Sequence, residues 1–248
     1  MSEMTDPSES AISAEKNDQI GRNVVAIDGP AASGKTTVAV RLADRLGAVF
    51  LDTGSLYRAA TLLADRLGLT AADELRLALL IDGGAIQIRP PSVSDNRYCD
   101  VLLNGEDVTS LLRSPEIDNA VSAISAAPAV RAALLPLQRG FARNQRLVMV
   151  GRDIASVVFP NALVKIYLDA SVHERARRRW AEIVASDPTV TLADVEADLR
   201  RRDKIDSTRD TAPLHVAEGA TIVQTDGKSI EQVVDEVASL AERAWTAA

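Results

Sequence analysis

Gly29 to Thr36 reads G-P-A-A-S-G-K-T and satisfies G-x-x-x-x-G-K-[S/T]. These residue types suit one task, the cradling of a chain of phosphates. Gly29 and Gly34 let backbone N–H groups turn inward around oxygens, with Pro30, Ala31, Ala32 and Ser33 forming the loop between them. Lys35 supplies a point charge for the outer phosphates, and the Thr36 hydroxyl is a ligand suited to Mg²⁺. Such a loop needs a strand before it and a helix after it, so that the positive end of the helix dipole faces the anion. Both flanks are present. VVAI before Asp28 is a short run rich in β-branched residues, and an amphipathic helix begins at Lys35 and Thr36, with Thr37 in its first turn. The stretch predicts a nucleoside triphosphate site.

A second set of charges recurs where strands end or helices begin: Arg58 after Asp52-Thr53-Gly54, Arg152 in Gly151-Arg152-Asp153, and Arg202 ahead of Asp206 and Arg209. Guanidinium forks match phosphate oxygens bidentately and stay charged. Their convergence would hold a second anion, whereas scattered arginines would form only surface ion pairs. Arg175, Arg177, Arg178 and Arg179 crowd one further helix. A charge run is often a solvated face; here it also stands where a lid over the triphosphate belongs.

A phosphate loop alone fits an ATPase, a GTPase or a small-molecule kinase. No N-K-x-D element for guanine is present, and no second long domain follows for hydrolysis to drive. The chain has 248 residues, 46% of them hydrophobic but only 3% aromatic, so Ala, Leu, Val and Ile must fill the core. A formal charge of −7 argues against general affinity for nucleic acid. The single cysteine, Cys99, fits a reducing compartment. No apolar run reaches spanning length and no signal pattern opens the chain. The expectation is a cytoplasmic monomer acting on small molecules, with neither nucleic acid nor membrane as partner.

Alternating strand and helix signals predict an α/β fold with a parallel sheet and ligands at the carboxyl ends of its strands. Residues 1–21, rich in Ser, Glu and Asp, read as a disordered acidic tail before a domain over 22–248. From Asp82 the rhythm changes. AIQIRPP, Arg97 to Leu103 and the Asn104-Gly105 turn predict antiparallel hairpins, hence a small β-containing insert over 82–121. Helix returns from Pro115 to Gln145, with breaks expected at Pro128 and Pro136. A short lid is expected over about 172–190. Arg202, Asp206 and Arg209 read as a charged loop that closes the helix beginning in VTLADVEADL.

IDGPAASGKTTV, LDTGSLYRAAT, VGRDIASVVFPNALVKIYLDAS, ERARRRWAE and RRRDKIDSTRDTAPL together resemble the bacterial-type cytidylate kinases, from about Val24 to the C-terminus. The resemblance implies a doubly wound parallel sheet of the P-loop NTPase type and a P-loop nucleoside monophosphate kinase that moves the γ-phosphoryl group of ATP, with Mg²⁺, to CMP or dCMP. It implies that Gly29 to Thr37, with Arg178 and Arg179 of the lid, bind ATP, and that Thr36 meets the metal. It further implies Arg58, Arg152 and Arg202 on the acceptor phosphate, Thr53, Asp206 and Arg209 on the ribose, and Ser122, Arg131 and Asp153 on the cytosine. Lys35, Arg152 and Arg202 then carry catalysis. Ala155 and Ser156 stand where Gly and Thr are usual in that family, Ser55 where Ala is common and Gln224 where Asp is frequent. His173 and His215 match no role.

Overall fold

The structure is a computed structural model that describes residues 21–93, 95, 97–142, 145–185 and 187–247. The tail expected over residues 1–21 therefore lies, apart from Gly21, outside the described residues.

Five strands form a parallel sheet: β1 (Val24–Asp28), β2 (Val49–Asp52), β6 (Leu147–Gly151), β7 (Val164–Asp169) and β8 (Thr221–Gln224), in spatial order β2-β6-β1-β7-β8. β1 and β6 are buried along their whole length, as strands covered on both faces must be. The two-residue period sorts their side chains. Val25, Ile27, Val148 and Val150 join one apolar layer with α1 (Lys35–Leu46) and the last helix, α8 (Ile230–Thr246); Val24, Ala26, Leu147 and Met149 join the opposite layer with Leu51, Ile154 and Phe159. The chain leaves β1 for β2 on one side and later reaches β7 on the other. The strand order thus reverses at β1, which opens a crevice at the carboxyl ends of the strands.

Beside this sheet a second apolar core gathers α2 (Gly54–Arg66), α3 (Glu74–Asp82), β3 (Ile86–Arg89), β4 (Asp100–Leu103), α4 (Pro115–Ala126) and α5 (Pro128–Gly140) around Leu56, Leu77, Ile86, Leu103 and Leu134. β3, β4 and the short β5 (Glu106–Asp107) pair antiparallel. The turn at Asn104-Gly105 has φ of +51° and +86°, the pair of left-handed residues that a two-residue hairpin requires.

Two expectations differ from the structure. Pro136 lies inside α5 without ending it. The lost N–H costs the helix about 3 kcal/mol, yet Val130, Ala133 and Leu134 before it and Gln138 after it are all buried in the second core, so packing holds both sides of the gap. The charged segment at Arg202 is likewise no loop. α7 runs Leu192–Thr208, after α6 (Val172–Ile183). Val195, Leu199, Arg202 and Asp206 recur every three or four residues, so one helix face carries apolar anchors at one end and charged groups at the other. Arg209 caps this helix.

Among the described residues no single helix is long and apolar enough to cross a membrane. α4 and α5 pass that test only as a pair, bent by 96°, and their apolar faces fill the second core.

Candidate active site

Glycine is required at two points of the loop after β1. A Cβ on Gly29 would stand 2.1 Å from the Leu168 carbonyl oxygen of β7, and Gly34 enters α1 with φ of +92°. The Lys35 ammonium arches back over the loop, donating to the carbonyls of Gly29 (2.8 Å) and Pro30 (2.6 Å), with Ser33 Oγ at 3.4 Å. Burial, then the nearby Arg152 charge, hold its pKa well below the ordinary lysine value. Such a group gains most from an anion placed beside it. The Thr36 hydroxyl donates to Asp52 Oδ2 at 3.0 Å, and Asp52 Oδ1 accepts from the Gly54 N–H. The Thr37 side chain is exposed, so only its backbone faces the loop as part of the open first turn of α1.

The arginines of α6 divide by partner. Arg175 is buried and pins the loop: its guanidinium donates to the carbonyls of Ala31 (3.1 Å) and Ala170 (3.0 Å) and pairs with Asp203 of α7 at 2.6 Å. Arg178 donates to Thr225 Oγ1 and carbonyl, and it stands 3.8 Å from where a Cβ on Gly34 would be. Arg179 turns away from the loop to Asp118 of α4. Arg177 points out and pairs with Glu174.

On the other side of the crevice Arg58 Nη2 lies 2.8 Å from Asp118 Oδ1, close as charges but not aligned as a hydrogen bond. Arg152 Nε donates to Asp206 Oδ2 at 2.8 Å, whereas Arg202 Nη1 lies 3.9 Å from Asp198 Oδ2. Arg131 pairs with Asp153 in a buried contact and lies over the Tyr57 ring, 5.2 Å from its centroid. Arg209 stands 4.0 Å from both Asp153 and Asp206, and among the described residues its buried Nη2 has no hydrogen-bond acceptor. A buried donor left open is costly unless a ligand completes it. Thr53 Oγ1 donates to the Val150 carbonyl; Ser122 is half-buried on α4.

The electrostatics bring these groups into one space. The Asp52 carboxylate acts on Lys35, Arg58 and Arg152 together, and Arg58 and Arg202 repel each other. Lys35 and the three arginines are therefore close enough to feel shared charges. A hollow of about 280 Å³ elsewhere, between β3 and α5 and bounded by Leu56, Ile86, Ile88, Arg89, Leu137 and Phe141, is mainly apolar and contains none of them.

Four carboxylates escaped the sequence reading: Asp28, Asp52, Asp118 and Asp203. Asp52 had a signal, since it opens D-T-G at a strand end. Asp28 ends β1 and is only 2% exposed, and its two oxygens accept from the N–H groups of Ile154 and Ala155 at 2.8 Å each. It thereby braces the turn that displays Arg152 and Asp153. Burial, reinforced by the Asp153 charge, pushes its pKa from 3.8 to about 6 against the pull of the two amides and Lys35. Asp28 thus holds its proton more tightly folded than unfolded. Its contribution to stability is full below 3.8 and is lost as pH rises through about 6, a span of about 3 kcal/mol at most. Protonation also removes an acceptor from one amide, which loosens the turn. Asp28→Asn should abolish the stability slope between about pH 4 and about pH 6 and cost roughly tenfold in kcat/KM, measured by thermal melts across pH and steady-state rates. An unaltered slope would show that another group titrates there.

A glycine- and lysine-bearing loop at the switch point of a parallel sheet, with Arg152 close to its lysine, fits a P-loop phosphotransferase. The family model for cytidylate kinase matches residues 25–243. The chain is 44% identical over 217 residues to the cytidylate kinase of Geobacter sulfurreducens, covering 88% of this chain and 91% of that one. It is 45% identical over 213 residues to the cytidylate kinase of Geobacillus sp., covering 86% and 93%. It is also 46% identical over 220 residues to the bifunctional pantoate ligase/cytidylate kinase of Synechococcus elongatus, covering 88% of this chain but only 42% of that longer protein. The chain belongs to the cytidylate kinase family.

Proposed function

We propose that the chain transfers the γ-phosphoryl group of ATP to CMP or dCMP, releasing ADP and CDP or dCDP. The observation that supports this most is Asp153, held by Arg131 after β6 on a turn braced by Asp28, a carboxylate that feels the charges of both Asp153 and Lys35. Cytosine presents an amino donor where uracil presents a carbonyl, and a fixed carboxylate accepts from the first and repels the second.

In this reading ATP lies along Gly29–Thr37 with Lys35 at its outer phosphates. Their oxygens replace the Gly29 and Pro30 carbonyls as acceptors of the ammonium. Arg58, Arg152 and Arg202 hold the acceptor phosphate in line with the γ-phosphorus. Arg209 and Asp206, with Thr53, take the ribose, which completes the open Arg209 Nη2. A phosphate oxygen of CMP forms the new P–O bond as the bond to the β-phosphate oxygen breaks, so no strong base is needed. The reaction reduces to alignment and charge neutralisation. Thr36 and Asp52, whose side-chain oxygens lie 3.0 Å apart, are hard donors that would hold a Mg²⁺, which would supply positive charge against the phosphates. Domain roles follow: 82–121 as the acceptor-binding insert and about 172–190 as the lid that excludes water.

Offering CMP, dCMP, UMP, AMP and GMP separately and measuring ADP tests the reading. Preference for the cytidine pair supports it, and preference for AMP or UMP moves the chain to another acceptor. Arg58→Ala should raise KM for CMP by roughly a hundredfold while KM for ATP changes little. The opposite split would reassign Arg58 to the donor.

A further inference from the structure

Asp118 has no part in the account above, although it touches both halves of it. It lies in the first turn of α4, four residues after the Ser114 cap, where the helix dipole favours a carboxylate. Oδ1 is 2.8 Å from Arg58 Nη2 of α2, and Oδ2 accepts from Arg179 Nη2 of α6 at 3.2 Å. All three side chains are largely enclosed, with 18% of Asp118, 22% of Arg58 and 36% of Arg179 exposed. Consecutive helical residues point about 100° apart, and that rotation sends Arg178 to the phosphate loop and Arg179 across to α4. The lid helix thus has one arginine on the donor side and one tied to the acceptor side.

We propose that Asp118 is a positioning residue that couples the two nucleotide sites, because a single carboxylate shared by Arg58 and Arg179 makes the placement of each guanidinium depend on the other. The inference rests on the nucleotide kinase reading. An acceptor phosphate arriving at Arg58 competes with Asp118 for that guanidinium and repels its carboxylate. The hold on Arg179 weakens, and α6 is freed to bring its arginines over the donor phosphates. The reverse follows by linkage: a donor that binds Arg179 favours the same state, in which the carboxylate has withdrawn from Arg58 as well. Each nucleotide therefore raises the affinity for the other by the same factor. The surrounding charges agree with this arrangement. Arg202 and Arg113 repel Arg58 while Asp118 and Asp52 attract it, and Arg179 has Glu182 as a second partner at 2.9 Å, so neither arginine is stranded when Asp118 lets go.

Calorimetric titration of CMP, with and without a saturating non-hydrolysable ATP analogue and Mg²⁺, reads the coupling directly. The wild-type chain should bind CMP roughly tenfold tighter when the analogue is present. Asp118→Asn, close in shape but uncharged, should bind CMP more tightly without the analogue and gain about twofold or less from it. Arg201→Ala, on the outer side of α7 and paired with Asp198, should follow the wild type. Arg179→Gln removes the other end of the link and should also lose the gain, which serves if Asp118→Asn melts early. An Asp118→Asn or Arg179→Gln chain that keeps the wild-type gain overturns the proposal, as does a wild-type chain with none. A wild-type chain that binds neither nucleotide overturns the kinase reading itself.

Discussion

Lys35→Ala should lower kcat for CMP phosphorylation by about a hundredfold to a thousandfold while the protein stays folded. The ammonium is buried, its pKa is depressed by burial and by Arg152, and among the described residues it donates to oxygens of Gly29, Pro30 and Ser33. Its removal relieves a desolvated charge, so the melting temperature should hold or rise. The loss falls on the transition state, where charge on the migrating phosphoryl group would meet one cation fewer, and one preorganised electrostatic group in a dry site is worth roughly 10²–10³ in rate. KM for CMP should change little. A variant that is inactive because it has unfolded, or one that retains more than about a tenth of wild-type kcat, contradicts the placement of Lys35 at the reacting phosphates.

Asp153→Asn should have the other large effect, on choice of base. Asp153 is buried, bonded to Arg131 and flanked by Arg209. The amide keeps the shape, but its NH₂ group can turn toward an oxygen, so the side chain no longer demands a donor from the base. Sites that require a hydrogen bond discriminate by roughly 10⁴-fold, so the ratio of kcat/KM for CMP to that for UMP should fall by about a hundredfold or more, mainly through loss on CMP. Arg131 is left without its buried counter-charge, which costs about 3 kcal/mol of stability; melts should show it. An unchanged ratio in a folded variant removes Asp153 from the base edge.

The parts of this site that a reader of the sequence can see are those spelled by neighbours. Gly29 to Thr36 is eight consecutive residues, and its flanking strand and helix announce themselves by β-branched content and helical period. Asn104-Gly105 likewise encodes its own turn. The opaque parts are meetings across the chain. Asp28 and Ala155 are 127 positions apart, and nothing local says that one end of β1 braces the turn after β6. Asp118 is an ordinary first-turn acid until α2 and α6 bring Arg58 and Arg179 to it. The arginines of α6 show the same limit from the other direction. The run looks uniform in sequence, yet Arg175 is buried under the loop, Arg178 faces it, Arg179 reaches α4 and Arg177 faces solvent, because burial depends on Asp203, Thr225 and Asp118 on other elements. Pro136 and Arg202 were misplaced for a related reason: tertiary packing against the second core carried one helix through a proline, and a site-facing polar stripe hid the last turns of another.

The account depends on a donor and an acceptor lying end to end in one crevice, one on Lys35 and the loop amides, the other among Arg58, Arg152 and Arg202. A compound that joins adenosine and cytidine, 5′ to 5′, through a chain of phosphates measures this directly. Calorimetry should show it binding at least about a hundredfold tighter than ATP, since the second half binds without a second association cost, and both Lys35→Ala and Arg58→Ala should erase most of that gain. Binding no tighter than ATP alone would mean that the two anions do not share the crevice, and the assignment of the acceptor arginines would fail with it.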